Sequence, residues 1–163
     1  MRRFLALAVV ALVATTIASA AAPRARVGVR ATSLGRVLVD ARGRTLYAFD
    51  LDKSGKTACA GACAALWPPL LTTGAPLAAG VRAAKLGVVK RGDGRMQATF
   101  AGHPLYFFAK DTKAGQVAGA SVAHWSALSP AGAKVRPSSG GGYGYAPPTQ
   151  TTTNPDPGGG YYP

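Results

Sequence analysis

Cys59 and Cys63, four residues apart, are the only cysteines in the chain. On a helical turn that spacing brings the two Cα atoms to about 6 Å, within the range a disulfide accepts. For an exported chain in oxidising surroundings the reading is a structural bridge. A redox pair or half of a metal site is the functional alternative, but the spacing is neither the Cys-x-x-Cys of thioredoxin-like centres nor a haem attachment signal. The acids come next. Asp50-Leu51-Asp52-Lys53-Ser54-Gly55 resembles the opening of a calcium loop, with oxygen ligands at alternate positions and glycine sixth. The bidentate glutamate such a loop needs at position twelve is replaced by Gly61, and the chain contains no glutamate. Asp52 and Asp111 are therefore read as carboxylates that bond nearby loop amides. His103 and His124 complete the set, without the spacing of a metal motif, and are expected in turns or at the surface. No nucleophile elbow, phosphate loop or dinucleotide fingerprint is present in the folded part. No cofactor, metal or catalytic residue is expected.

Several of these residues belong to a repeat. Thr45-Leu46-Tyr47-Ala48-Phe49-Asp50-Leu51-Asp52 returns as Pro104-Leu105-Tyr106-Phe107-Phe108-Ala109-Lys110-Asp111. At a constant offset of 59, Gly43, Leu46, Tyr47, Phe49 and Asp52 map onto Gly102, Leu105, Tyr106, Phe108 and Asp111. Trp67 follows Asp52 by 15 residues and Trp125 follows Asp111 by 14. Such self-similarity marks a duplicated structural unit. Asp50 and the cysteines are private to the first copy. The six aromatics Tyr47, Phe49, Tyr106, Phe108, Trp67 and Trp125 are expected to form a core. Exposed instead, they would make a platform for sugar rings or a route for electrons.

The elements that position these residues are short strands. Leu34–Asp40 and Arg44–Phe49 flank a Gly-containing turn and read as one β-hairpin; Arg95–Phe100 and Leu105–Phe108 read as its counterpart. Leu86–Lys90 adds a strand before Asp93-Gly94, and Val81–Lys85 a short helical or loop segment. Ala58–Leu66 is an Ala-rich helix candidate stopped by Pro68-Pro69. The expected fold is mainly β: two duplicated β-hairpin units packed into one small domain, with one or two short helices.

This pattern resembles a family of secreted repeats of unknown function. It consists of small bacterial exported proteins and predicted lipoproteins with a Tyr-x-(Phe/Trp/Tyr)-x-x-Asp motif. The resemblance rests on the duplicated motif, the Gly-x-Thr-Leu-Tyr lead-in and Cys-x-x-x-Cys-x-x-x-Trp-Pro-Pro, and covers roughly residues 34–132. It implies no established activity. Many members carry a lipidated N-terminal cysteine, which this chain lacks, so the resemblance does not imply tethering here. The second copy departs from the first in having Trp125-Ser126 and no cysteine pair.

The ends fit export. Arg2-Arg3, the apolar run Phe4–Val13 and Ala18-Ser19-Ala20 read as a signal peptide over 1–20; the apolar run is too short for a permanent spanning anchor, so no membrane span is expected after cleavage. Residues 21–33 read as a basic lead-in and 34–136 as the duplicated domain, with repeats at about 34–73 and 86–132. The Gly-, Pro-, Thr- and Tyr-rich stretch 137–163 is too poor in apolar residues to fold and reads as a disordered tail. Without Arg2 and Arg3 the chain carries 17 basic and 6 acidic residues, or +11. That balance suits anionic cell-wall polymer or polysaccharide. It does not suit nucleic acid, because no element interleaves bases with aromatics. The expected role is an exported non-catalytic module of the envelope or extracellular space. The alternative is a secreted redox or metal-handling protein using Cys59 and Cys63 or the Asp and His residues.

Overall fold

A computed structural model of the chain describes residues 23–53 and 55–138. The signal peptide expected over 1–20 and all but the first two residues of the tail expected over 137–163 lie outside them.

Among the described residues nine strands form three three-stranded sheets. In the first, β1 (Arg26–Thr32) pairs antiparallel with β2 (Gly35–Val39) and parallel with β4 (Leu77–Ala79). Gly35 permits the tight β1–β2 turn by taking φ +85°, a backbone state that costs glycine little. In the second sheet, β8 (Trp125–Leu128) lies between β3 (Tyr47–Phe49) and β9 (Lys134–Val135). In the third, β6 (Met96–Phe100) lies between β5 (Leu86–Lys90) and β7 (His103–Pro104). The Asp93-Gly94 turn joins β5 to β6, its aspartate bonding the Arg95 N–H at 3.0 Å. One short helix, α1 (Ala62–Leu66), and 3₁₀ turns at Ala83–Lys85 and Ala118–Ser121 complete the described elements. The mainly β, duplicated architecture read from the sequence is the one observed.

Alternation along the motif segments creates two cores, because successive side chains of a strand point to opposite faces. Leu46 and Ala48 join an aliphatic-rich cluster with Val27, Leu38, Phe100 and Leu128. Tyr47 points into an aromatic cluster with Trp67, Tyr106 and Trp125, against which Phe49 packs. The second copy repeats this: Leu105 and Phe107 enter the first cluster, Tyr106 and Phe108 the second. Both motif segments are thus buried on both faces.

Four expectations need correction. The strand expected over Leu105–Phe108 is not formed: β6 pairs with β7 at His103–Pro104, and beyond it only Tyr106 makes bridges, to Tyr47 and Pro69. The segment 21–33 is not merely a lead-in: β1 runs through it and buries Val27 completely. Val27 and Val29 alternate with Arg26, Gly28 and Arg30 as a half-buried strand requires. The first hairpin shrinks to one bridge, Val39↔Thr45, because β2 pairs along its length with β1 while β3 turns away to β8. The helix expected over Ala58–Leu66 begins only at Ala62. Gly61 sits at φ +53°, outside helical geometry, and the Ala58 N–H is drawn instead to the Asp52 carboxylate.

Candidate functional site

The two motif segments meet at equivalent residues, Tyr47 and Tyr106. Tyr47 N–H donates to the Tyr106 carbonyl at 2.8 Å and Tyr106 N–H donates to that of Tyr47 at 3.0 Å. Around this bridge the copies interleave. The first-copy strand β3 pairs on its other side with β8 of the second copy, while Tyr106 bridges Pro69 of the first. Matched bonds recur on both sides: Asp50 N–H to the His124 carbonyl at 2.8 Å, and Ala109 N–H to that of Leu66 at 2.9 Å. The halves are therefore related by an approximate two-fold axis, and the sheet that holds β3 and β8 is built from both copies.

The side chains obey the same symmetry. Trp67 and Trp125 stack face to face, with centroids 3.7 Å apart and planes within 2°. Phe49 stacks on Trp125 at 4.3 Å and Phe108 on Trp67 at 4.4 Å, giving a four-ring column. Tyr47 meets Trp67 edge-on and Tyr106 meets Trp125 edge-on. The tryptophans are 3 % and 4 % exposed, so no open ring face remains for a sugar.

Each tyrosine reaches the aspartate of the other copy. Asp111 holds its own loop by accepting the Ala118 N–H at 3.1 Å, and its second oxygen accepts the Tyr47 hydroxyl. Asp52 likewise accepts the Ala58 N–H at 2.7 Å. Its second oxygen and the facing Tyr106 hydroxyl are buried without a hydrogen-bond partner, although each lies close enough to shift the other's titration. Burial, reinforced by the neighbouring Asp111, pushes the Tyr47 phenol far above its ordinary range. Burial and Asp52 do the same to Tyr106. The Asp52 carboxyl is raised by burial, against the opposing pull of the Ala58 N–H.

Beside the open pair lies a concavity of ≈ 260 Å³ lined by Asp52, Lys53, Ala101, Gly102, His103 and Pro104. His103 is lowered by burial and by Lys134, with Asp50 and Asp52 pulling the other way. Asp50 is engaged by Lys134 and Arg136 at 2.8 and 2.9 Å, which occupies the first carboxylate of the calcium-like sequence. His124 sits at φ +67° in the turn before Trp125, where its carbonyl receives Asp50. Among the described residues no three His, Cys, Asp or Glu side chains gather as a metal site. Cys59 and Cys63 are joined by a disulfide with their Cα atoms 5.2 Å apart, and Cys59 is fully buried.

Sequence reading missed two buried polar residues. Arg91 donates to Gln97 Oε1 at 2.6 Å and to the Cys59 carbonyl at 2.7 Å, while Gln97 donates to the Leu105 carbonyl at 2.7 Å. This network ties the disulfide loop to the second copy. A lone glutamine in Met96–Phe100 was the available signal, since its strand neighbours Ala98 and Phe100 are fully buried.

The acids among the described residues are consumed in these contacts. Asp40, Asp50 and Asp93 form ion pairs, and Asp52 and Asp111 face inward. Of the 17 Lys and Arg within the described residues, Arg44, Arg91, Arg95, Lys134 and Arg136 have an acidic partner there, leaving 12 without one. Among the described residues no helix is long and apolar enough to cross a membrane.

No curated protein and no solved structure matches the chain. The sequence pattern of the family described as "secreted repeat of unknown function" matches twice, over residues 28–71 and 87–128, together more than half of the chain. Those two matches take in both Tyr-x-Phe-x-x-Asp motifs and both tryptophans, the parts that interleave about the two-fold axis, and the chain belongs to this family of secreted repeats.

Proposed function

We propose that the chain is an exported, non-catalytic module that is held to anionic cell-wall polymer or polysaccharide by its basic surface. The observation that carries this reading is the disposal of charge. Every acid within the described residues is paired or turned inward, so twelve bases face no acid there. Attraction between such a surface and a polyanion is long-ranged and screened by salt. The absence of catalysis is supported by the repeated residues themselves: the tryptophans stack on each other and the aspartates hold loops.

The test is retention of the mature protein on purified cell wall across a salt series. Retention at low salt that falls steadily between about 0.05 and 0.5 M, as the screening length contracts, is the expected result. Retention that ignores salt, or its absence, refutes the reading. Thiol titration and elemental analysis of the same preparation address the redox or metal-handling alternative.

A further inference from the structure

The unpaired bases are not spread evenly. Five described arginines place no guanidinium N–H on a protein acceptor among the described residues: Arg26, Arg30, Arg36, Arg42 and Arg82. Three of them, Arg26, Arg30 and Arg42, line one concavity of ≈ 390 Å³. Its small-residue lining comes from Gly28 and Ala79, paired across β1 and β4, and from Gly43. The one acid there, Asp40, is already occupied. One oxygen accepts the Arg42 and Arg44 N–H groups, and the other accepts the Arg44 guanidinium at 2.8 and 2.9 Å.

Arg30 lies against the junction of the two copies with no acid as partner among the described residues. Its side chain lies across Gly43 and Gly115, both at φ +79°, whose loops are joined by the Gly115 N–H to Gly43 carbonyl bond at 2.9 Å. A β-carbon at Gly43 would stand 2.9 Å from the Arg30 Nη1, and one at Gly115 3.1 Å from its Nε. Glycine at both positions therefore makes room for a guanidinium laid over the junction of the two copies.

Spacing indicates the kind of ligand. Arg26, Gly28 and Arg30 share one face of β1, so the two arginines are rooted about 13 Å apart at the usual rise per residue. A single phosphate or carboxylate fits the fork of one arginine, whereas this row suits successive oxyanions along a chain. Resting on the function proposed above, we infer that the Arg26–Arg30–Arg42 concavity is the site that takes a polymer bearing repeated oxyanions, phosphate or carboxylate.

The test uses the mature full-length protein titrated at low salt with inorganic polyphosphate and, separately, with polygalacturonate. R26Q/R30Q/R42Q is compared with K53Q/K56Q/K90Q, which removes equal charge from other concavities. All six side chains are exposed, and unchanged melting temperatures confirm folding. The arginine variant is expected to lose at least about tenfold in affinity and the lysine variant less than about threefold, as three lost charge-assisted contacts imply. Tighter binding of one polymer identifies phosphate or carboxylate as the preferred group. Equal losses in the two variants overturn the site while leaving the electrostatic function standing. Binding of neither polymer by the unaltered protein overturns both.

Discussion

The two Tyr–Asp contacts are equivalent in sequence but not in satisfaction, and this difference is measurable. Tyr47→Phe removes a buried phenol that donates to Asp111, a residue only 7 % exposed. A hydrogen bond to a carboxylate is worth about 1.5–3 kcal/mol, and its loss leaves a bare buried oxygen, so the expected cost is about 2–3 kcal/mol. Tyr106→Phe removes a hydroxyl that has no partner, at almost unchanged volume. It should lie within about 0.5 kcal/mol of the unaltered protein or stabilise it. The aspartates extend the comparison. Asp111→Asn keeps an oxygen for the Ala118 N–H but puts an amide donor where the Tyr47 hydroxyl found its charged acceptor, costing about 1–2 kcal/mol. Asp52→Asn keeps an oxygen for Ala58 and places an amide donor beside Tyr106, so it should be neutral or stabilising at pH 7.

The pH dependence follows from the Asp52 shift. Its carboxyl is raised in the folded protein above the ordinary 3.8, so the folded state holds the proton more tightly than the unfolded chain. The contribution of this group is present in full below the unfolded value. It declines as pH rises from there through the folded value, and is flat above. Asp52→Asn removes that slope. Guanidinium denaturation at pH 7 and pH 4.5, followed by tryptophan fluorescence from the stacked pair, reads all four variants. Equal losses for Tyr47→Phe and Tyr106→Phe would refute the asymmetry, as would a Tyr47→Phe cost below about 0.5 kcal/mol, less than any net hydrogen bond to a charged group.

Other changes test the architecture around the pair. Gly119→Ala would set a β-carbon 2.8 Å from the Tyr47 ring and 3.0 Å from the Phe108 Cβ, so thermal melting should show a loss of about 1–3 kcal/mol, the usual cost of overpacking. Trp125→Ala opens the centre of the ring column and should cost about 3–5 kcal/mol by chemical denaturation; a loss below 1 kcal/mol would show that the stack is not a core. Reduction of the Cys59–Cys63 bridge frees a five-residue loop, which the chain-entropy relation values at about 2 kcal/mol. Its melting temperature should fall by about 10 °C, at roughly 5 °C per kcal/mol for a domain of this size.

The duplicated frame, the alternation that sends Leu46 one way and Tyr47 the other, and the Asp93-Gly94 turn are all legible in the sequence. Each depends on residues close along the chain and on the two-residue period of a strand. The same holds for the Cys59–Cys63 bridge, whose partners are four residues apart. Comparing the copies also separates the shared Tyr, Phe and Asp from the private Asp50 and cysteines. Only the tertiary structure decides that the repeats interleave. Whether β3 pairs with its own hairpin or with β8, some 78 residues away, depends on long-range packing that local pattern does not encode. The same applies to the tryptophan stack, to Arg91 reaching Gln97 and Cys59, and to Arg30 lying over two glycines from different copies. Net charge is a property of composition, but the pairing of the acids, and hence where the positive charge is left exposed, is a property of the fold.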